Sequence, residues 1–362
     1  MKPGKKAIVL AIVLSICIII RWYSASAIRV EKGYAAGFSP SFSKGLRYMF
    51  GKIPFSIGDI LYGLLIVFLC WKLFSVFRFI YKERKSIIYW QRLKVFIYNT
   101  AITLAVIYIV FNIFWGINYN RTGIAAQLGL PEQKYTTAEL RQINCLLLER
   151  VNESKKSLIR KGEPYPDSKA LFEKVSLAYQ VLAKEHKFLQ YQPVSLKPSM
   201  WGWFGNYAGF TGYYNPFTGE AQVNTTIPKF LQPFTTCHEV AHQIGYAKEM
   251  EANFVGYLAA KASPDTLLHY SVYLDLFTYA NRNLFMNDSL AARLYARELD
   301  STVKADIMEW RKFNRKHQGK LEPVVRWAYG KYLQSNQQPN GISSYDEVTG
   351  FLIAYYRKFK KI

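Results

Sequence analysis

Three long apolar runs occupy the first third of the chain, and mixed polar and apolar positions follow. The first, Ala7 to Ile20, comes after Lys2, Lys5 and Lys6. The second extends from about Ile57 to Val76, with Asp59 near one end and Lys72 near the other. A lysine there can snorkel to the interface. The third, Val95 to Ile117, has 23 residues without a charge, and a helix needs about 20 such residues to cross a bilayer. The pattern predicts about three transmembrane helices within residues 1–118. The first run also has the form of a signal-peptide core, with Ala25-Ser26-Ala27 as a small-residue cleavage site. Arg21 to Lys52 reads as a basic loop.

After Asn118 the pattern becomes that of a folded domain, residues 119–362. Thr136-x-x-Glu139 forms a capping box that opens a helix to about Arg160. Gly162, Pro164 and Pro166 interrupt the chain. Asp167 or Ser168 then caps a second helix to about Leu189. Phe210 to Tyr214 and Glu220 to Thr226 alternate as short strands around the turn-prone Asn215-Pro216-Phe217-Thr218-Gly219. Beyond residue 233 the pattern is helical, with breaks at Gly245, Ser263-Pro264, Asn287-Asp288, Gly319, Gly330 and Asn340-Gly341. The fold class expected is mainly α with a small β-sheet (α+β), after an N-terminal bundle of about three transmembrane helices.

Composition supports the membrane reading. The apolar fraction is 50% and the aromatic fraction 16%, high for an ordinary soluble domain. The net charge of +22 suggests an anionic partner. Much of this charge flanks the apolar runs and no long Lys/Arg arm is present, so membrane lipid is the expected partner and nucleic acid is not. Lys2, Lys5 and Lys6, and then Lys82, Arg84, Lys85, Arg92 and Lys94, form short basic segments that should face the cytoplasm. The domain after the third run then lies outside it. Cys17 and Cys70 fall in apolar runs, and Cys145 and Cys237 lack metal-site spacing, so no disulfide framework is implied.

The chemistry concentrates in His238-Glu239-Val240-Ala241-His242. Residues i and i+4 share a helix face, so His238 and His242 can point at one ion. Imidazole suits Zn2+, which in catalytic sites takes three protein ligands and keeps a position for water. Glu239 is placed to act on that water as general base. Lys248 stands where a third histidine of an H-x-x-G-x-x-H site would be. The chain offers instead Glu249 and Glu251, at the start of the next helix. Glu249 shares a face with Asn253, which can orient a ligand histidine. The helical-face rule favours Glu249 as third ligand, and Glu251 remains the alternative, its other reading being a charge at a helix N-terminus. His186, His269 and His317 lack partners at ligand spacing. Tyr270, Tyr273 and Tyr332 are candidates for stabilising an oxyanion.

H-E-x-x-H followed by a short gap and E-x-x-A-[DN] resembles the gluzincin superfamily of zinc peptidases. Membrane peptidases of the CAAX-processing and heat-shock types carry Asp at the last position. Phage-repressor-cleaving peptidases carry Asn, as at Asn253 here. The resemblance implies a gluzincin-like domain with Glu249 as the ligand and an edge strand over the metal, for which Glu220 to Thr226 is the candidate. Three spans and then Gly-Tyr-Tyr-Asn-Pro-Phe-Thr-Gly-Glu resemble a bacterial membrane family of unknown function assigned to zinc peptidases.

The expected function is that of a multi-pass metallopeptidase of the bacterial cytoplasmic membrane, cleaving a peptide or protein substrate outside the cytoplasm. The alternatives are a zinc hydrolase of cell-wall amides, a non-catalytic zinc-containing scaffold or receptor, and a basic protein that binds anionic lipid or nucleic acid. The last leaves His238 to Asn253 unexplained. The aromatic segment Trp201, Trp203, Tyr207, Tyr213 and Tyr214 fits a packed cluster and a binding surface equally well. Oligomeric state is not fixed by the sequence.

Overall fold

The computed structural model describes residues 3–83 and 89–362. Arg84 and Lys85, in the basic turn expected to face the cytoplasm, lie outside the described residues. The apolar runs become helices α1 (Pro3–Ser24), α4 (Ile57–Glu83) and α5 (Tyr89–Phe114). All three are long and apolar enough to cross a membrane, and almost none of their apolar side chains is buried within the protein. Exposure of such helices to water would be costly, which indicates association with a membrane.

The segment expected as a loop between the first and second runs is helical instead. It comprises α2 (Ala27–Arg29), a π-helical stretch Val30–Phe38 and α3 (Ser39–Phe50). Its polar side chains find partners in the domain that follows. Arg47 is buried and donates to the carbonyls of Gln243 at 2.9 Å and Pro193 at 3.1 Å. Glu31 receives Arg121 Nη2 at 2.7 Å, Thr122 Oγ1 at 3.0 Å and Gln127 Nε2 at 3.1 Å. Two of the charges in this segment, Glu31 and Arg47, are thus satisfied across the boundary expected at residue 118.

α5 ends at Phe114, a little before the end of the third apolar run. Trp115 caps a 3-10 turn, Gly116–Asn120, that leads into the domain, and Trp115, Ile117 and Tyr119 are buried there. Helix α6 (Gly123–Leu128) follows, then α7 (Thr137–Lys161) and α8 (Ser168–Glu185). Both halves of the capping box are present on α7: Glu139 N donates to Thr136 Oγ1 at 3.3 Å, and Thr136 N to Glu139 Oε2 at 2.9 Å.

Strands β1 (Leu196–Pro198), β2 (Gly212–Asn215) and β3 (Glu220–Val223) form one sheet in the order β1-β3-β2. The hairpin agrees with the sequence pattern. β1, three residues long, has too little alternation to be read from sequence. Its parallel pairing with β3 makes β3 the central strand. The edge expected at Glu220 to Thr226 is therefore covered, and β2 is the edge beside the helix that carries Glu239.

Helix α9 (Gly202–Ala208) lies between β1 and β2. After the sheet come α10 (Gln232–Gln243), α11 (Glu249–Ala262), α12 (Thr266–Asn287), α13 (Ser289–Glu298), α14 (Ser301–His317), α15 (Leu321–Ser335) and α16 (Val348–Phe359). Gly330 does not break α15. One apolar core joins α7, α8, α10, α11, α12 and α16. α10 runs through it, packed between α11 and β3. The architecture is mainly helical with a three-stranded sheet after about three apolar helices.

Candidate metal centre

Every residue of α10 is buried, and this holds the H-E-x-x-H turn rigid. The helix ends in a Schellman motif: Tyr246 N donates to Ala241 O at 3.1 Å and Gly245 N to His242 O at 2.9 Å. Gly245 has φ +99, which only glycine adopts without strain. The reversal returns the chain so that α11 begins beside α10. Gln338 Oε1 accepts from Glu249 N at 2.9 Å, satisfying the first amide of α11.

This crossing brings Glu249 Oε2 to 3.1 Å from His238 Nε2 and 3.5 Å from His242 Nε2. One ligand atom from each residue lies within 4.8 Å of the other two. The outer ring nitrogens are engaged. His242 Nδ1 donates to Tyr246 O at 2.7 Å. His238 Nδ1 donates to Asn253 Oδ1 at 2.8 Å, and Asn253 Nδ2 in turn donates to Tyr345 O at 3.3 Å. With both rings neutral, the two Nε2 atoms would turn lone pairs toward the buried Glu249 Oε2. Three converging lone pairs repel unless a cation lies among them, and two imidazoles with one carboxylate are a donor set that suits zinc.

The electrostatics agree. Burial opposes charge on His242, yet Glu249 outweighs it and lifts the imidazole to about 9. Burial likewise opposes the Glu249 carboxylate, and His242 and His238 outweigh it and hold the group well below the usual range. The field that draws a proton here also draws a divalent cation, which would displace that proton.

Glu239 lies beside the cluster, 4% exposed, and its Oε2 has no hydrogen-bond partner. Burial pushes its carboxyl up to about 7 against the pull of His238 and His242. Its Cγ and Oε1 face Gly212 at the start of β2, where a Cβ would come within 2.6 Å of Oε1. The glycine makes room for the carboxylate.

Glu251 is buried away from the cluster, its carboxylate against Gly123. Of the tyrosines singled out from sequence, Tyr270 donates to Asp306, Tyr273 packs near His269, and Tyr332 meets Tyr119 at 3.0 Å. Two others stand at the centre. Tyr329 donates to Glu249 Oε1 at 2.6 Å, and Tyr345 stacks on His238 with ring centroids 6.0 Å apart. Nothing local in the sequence marks them, since α15 and the turn after it reach the site only through tertiary packing. His186, His269 and His317 lie outside the cluster. All four cysteines are free.

The aromatic segment divides. Trp203 and Phe204 are exposed, whereas Tyr214 packs on Trp115 at 4.8 Å and Tyr213 donates to Asp59.

A family model described as a protein of unknown function (DUF3810) matches residues 34–353. No curated protein and no solved structure matches the chain.

Proposed function

We propose that this chain, which belongs to the DUF3810 family, is a membrane-anchored zinc metallopeptidase with a gluzincin-like domain. The observation that carries the reading is the convergence of His238 Nε2, His242 Nε2 and Glu249 Oε2, with the unpartnered carboxylate of Glu239 at their side. His238, His242 and Glu249 would hold the ion, and Asn253 and the Tyr246 carbonyl would fix the rings. A bound zinc would polarise the scissile carbonyl and acidify the attacking water. Glu239 would take the proton of that water and deliver it to the leaving nitrogen. Tyr329 holds Glu249 in place through its second oxygen. The free edge of β2 gives an extended peptide a main-chain partner next to Glu239.

The basic segments support a bacterial cytoplasmic membrane location with the domain outside the cytoplasm. One observation favours the second reading, a structural zinc centre in a scaffold or receptor: His238 and His242 are each only 8% exposed.

Zinc-loaded full chain in lipid nanodiscs, incubated with casein and separately with cell-wall peptide fragments, tests both. Cleavage of casein by the wild type, with Glu239→Gln keeping zinc and losing cleavage, is the expected result. Cleavage of wall fragments alone would shift the substrate to non-protein amides. Full zinc occupancy with neither substrate cleaved would favour the structural centre.

A further inference from the structure

The metal centre sits at the ends of the membrane spans. Glu220 of β3 receives the first amides of α4, Ile57 N at 3.2 Å and Gly58 N at 2.5 Å. Asp59 accepts from Met200 N at 2.6 Å and from the Tyr213 hydroxyl. At the end of α5, the Trp115 ring lies 6.0 Å from that of His242. Helix α15 reaches the centre through Tyr329, and α9 lies against the approach to β2, where Phe204 packs on Phe210.

Both helices also flank the spans. The Trp201 ring lies over Gly63, where a Cβ would come within 3.1 Å, and its Nε1 donates to Asp59 O at 3.1 Å. Gly63 is about 9 Å along α4 from Ile57, at the helical rise of 1.5 Å per residue. Trp201 therefore lies level with the spanning part of α4. Tyr332 of α15 lies 6.1 Å from Phe111, one turn before the end of α5. α9 and α15 pack on each other.

Outward from these helices and from the residue pair before α9 lies a short apolar stretch, bounded on α15 by the exposed Lys320 and Lys331. Met200 is 60%, Trp203 70%, Val324 62% and Trp327 67% exposed. Val324 and Trp327 are three apart on the face of α15 opposite Tyr329 and Leu333, the residues that point inward. Beside them stand the exposed bases Arg315, Lys316 and Lys320 at the α14–α15 corner. That corner touches α9 through His317 on Tyr207, with ring centroids 5.1 Å apart. An apolar face with Trp, bordered by lysine and arginine and continuous with spanning helices, matches a helix lying in an anionic bilayer interface.

We propose that α9 and α15 form a collar that inserts Met200, Trp203, Val324 and Trp327 into the lipid leaflet on the domain's own side, with Arg315, Lys316 and Lys320 on its headgroups. The collar accounts for exposed aromatics and for part of the positive charge that the metal centre leaves unused. On the peptidase reading, the centre then opens at the lipid surface, and its substrate is the juxtamembrane segment of a chain already anchored in the membrane.

The test uses the full chain with Cys17, Cys70 and Cys145 replaced by serine, the buried Cys237 kept, and one reactive cysteine introduced at Trp203→Cys or Val324→Cys. A nitroxide is attached, and the protein is reconstituted in phosphatidylethanolamine–phosphatidylglycerol bilayers. Collision with oxygen is compared with collision with a water-soluble nickel complex. Both labels should favour oxygen, as does a label at Val67→Cys within α4, while one at Glu163→Cys should favour nickel. Nickel access at either collar site overturns the collar, as does a label shielded from both reagents, which would mean a protein contact. If the first pair does not fold, Met200→Cys and Trp327→Cys give the same readout. No hydrolysis is measured, so the collar and the peptidase reading fail separately.

Discussion

The indole of Trp115 meets the imidazole of His242 edge-on, with ring centroids 6.0 Å apart. Trp115 directly follows the last residue of α5, and His242 is one of the two histidines of the candidate centre. A long apolar helix thus ends on a side chain of the candidate cluster, without an intervening linker. Glu220 on the first turn of α4 makes a second such joint. The membrane region and the domain are one packed unit, and changes in the spans should be felt at the site.

Zinc content separates the two acidic candidates. Wild type should carry about one zinc per chain. Glu249→Ala should lose it, because two imidazoles remain. Glu251→Ala should keep it, since that carboxylate lies against Gly123. Metal analysis of the purified proteins decides, and loss with Glu251→Ala alone would move the third ligand.

Asn253→Ala removes the acceptor at 2.8 Å from His238 Nδ1 and leaves the ring free to rotate. Zinc affinity should fall by about 10–100-fold with little change in fold. Competition with a chelating dye would measure it. Unchanged affinity would mean that Tyr345 stacking alone orients the ring.

Gly212→Ala places a Cβ within 2.6 Å of Glu239 Oε1 and 3.0 Å of Gln222 O. Glu239 or β2 must shift. Peptide cleavage should drop by about an order of magnitude or more, part of the roughly 10²–10⁴-fold contribution of a positioned general base, while zinc stays bound. A variant as active as wild type would show that Glu239 does not need its observed position.

Glu31→Ala should destabilise the protein by about 3–5 kcal/mol, the usual cost of leaving a buried charge without its partner. The charge left behind is Arg121, 5% exposed, whose Nη1 also donates to Gly245 O at 3.1 Å. Denaturant titration in detergent reads the loss, and a change below about 1 kcal/mol would show that Arg121 does not need Glu31.

Stability at low pH should depend on Glu139. Its hydrogen bonds from Arg357 and Thr136 hold the carboxyl at about 2, below its ordinary 4.5. A lowered carboxylate pKa adds stability above the ordinary value, which is lost as pH falls through the folded value. The wild type should therefore lose this contribution between about pH 4.5 and 2. Glu139→Gln should already lack it at pH 7 and melt with a shallower acid slope. The pair is half-exposed, so the effect should stay near ~1 kcal/mol. Identical slopes would mean the pair is screened by solvent.

The sequence by itself determined what is local. Three long apolar runs dictate three helices suited to lipid, because nothing else satisfies so many backbone groups there. Thr136 and Glu139 set the start of α7 through contacts within one turn. The i, i+4 spacing puts His238 and His242 on one face, and the same spacing puts Glu249 and Asn253 on another. Tertiary structure decided what depends on meetings between distant segments. Periodicity has no term for β1 beside β3, and that pairing moved the free edge to β2. It also has no term for charges that find partners far along the chain. Arg47 and Glu31 therefore looked like loop residues, although they fasten the juxtamembrane helices to α10 and Arg121. Tyr329 and Tyr345 lack any motif and reach the centre only because α15 and the turn after it fold over α11. The convergence of Glu249 with the two histidines required the glycine reversal at Gly245 and the packing of α11 on α10, which local spacing permits but does not specify.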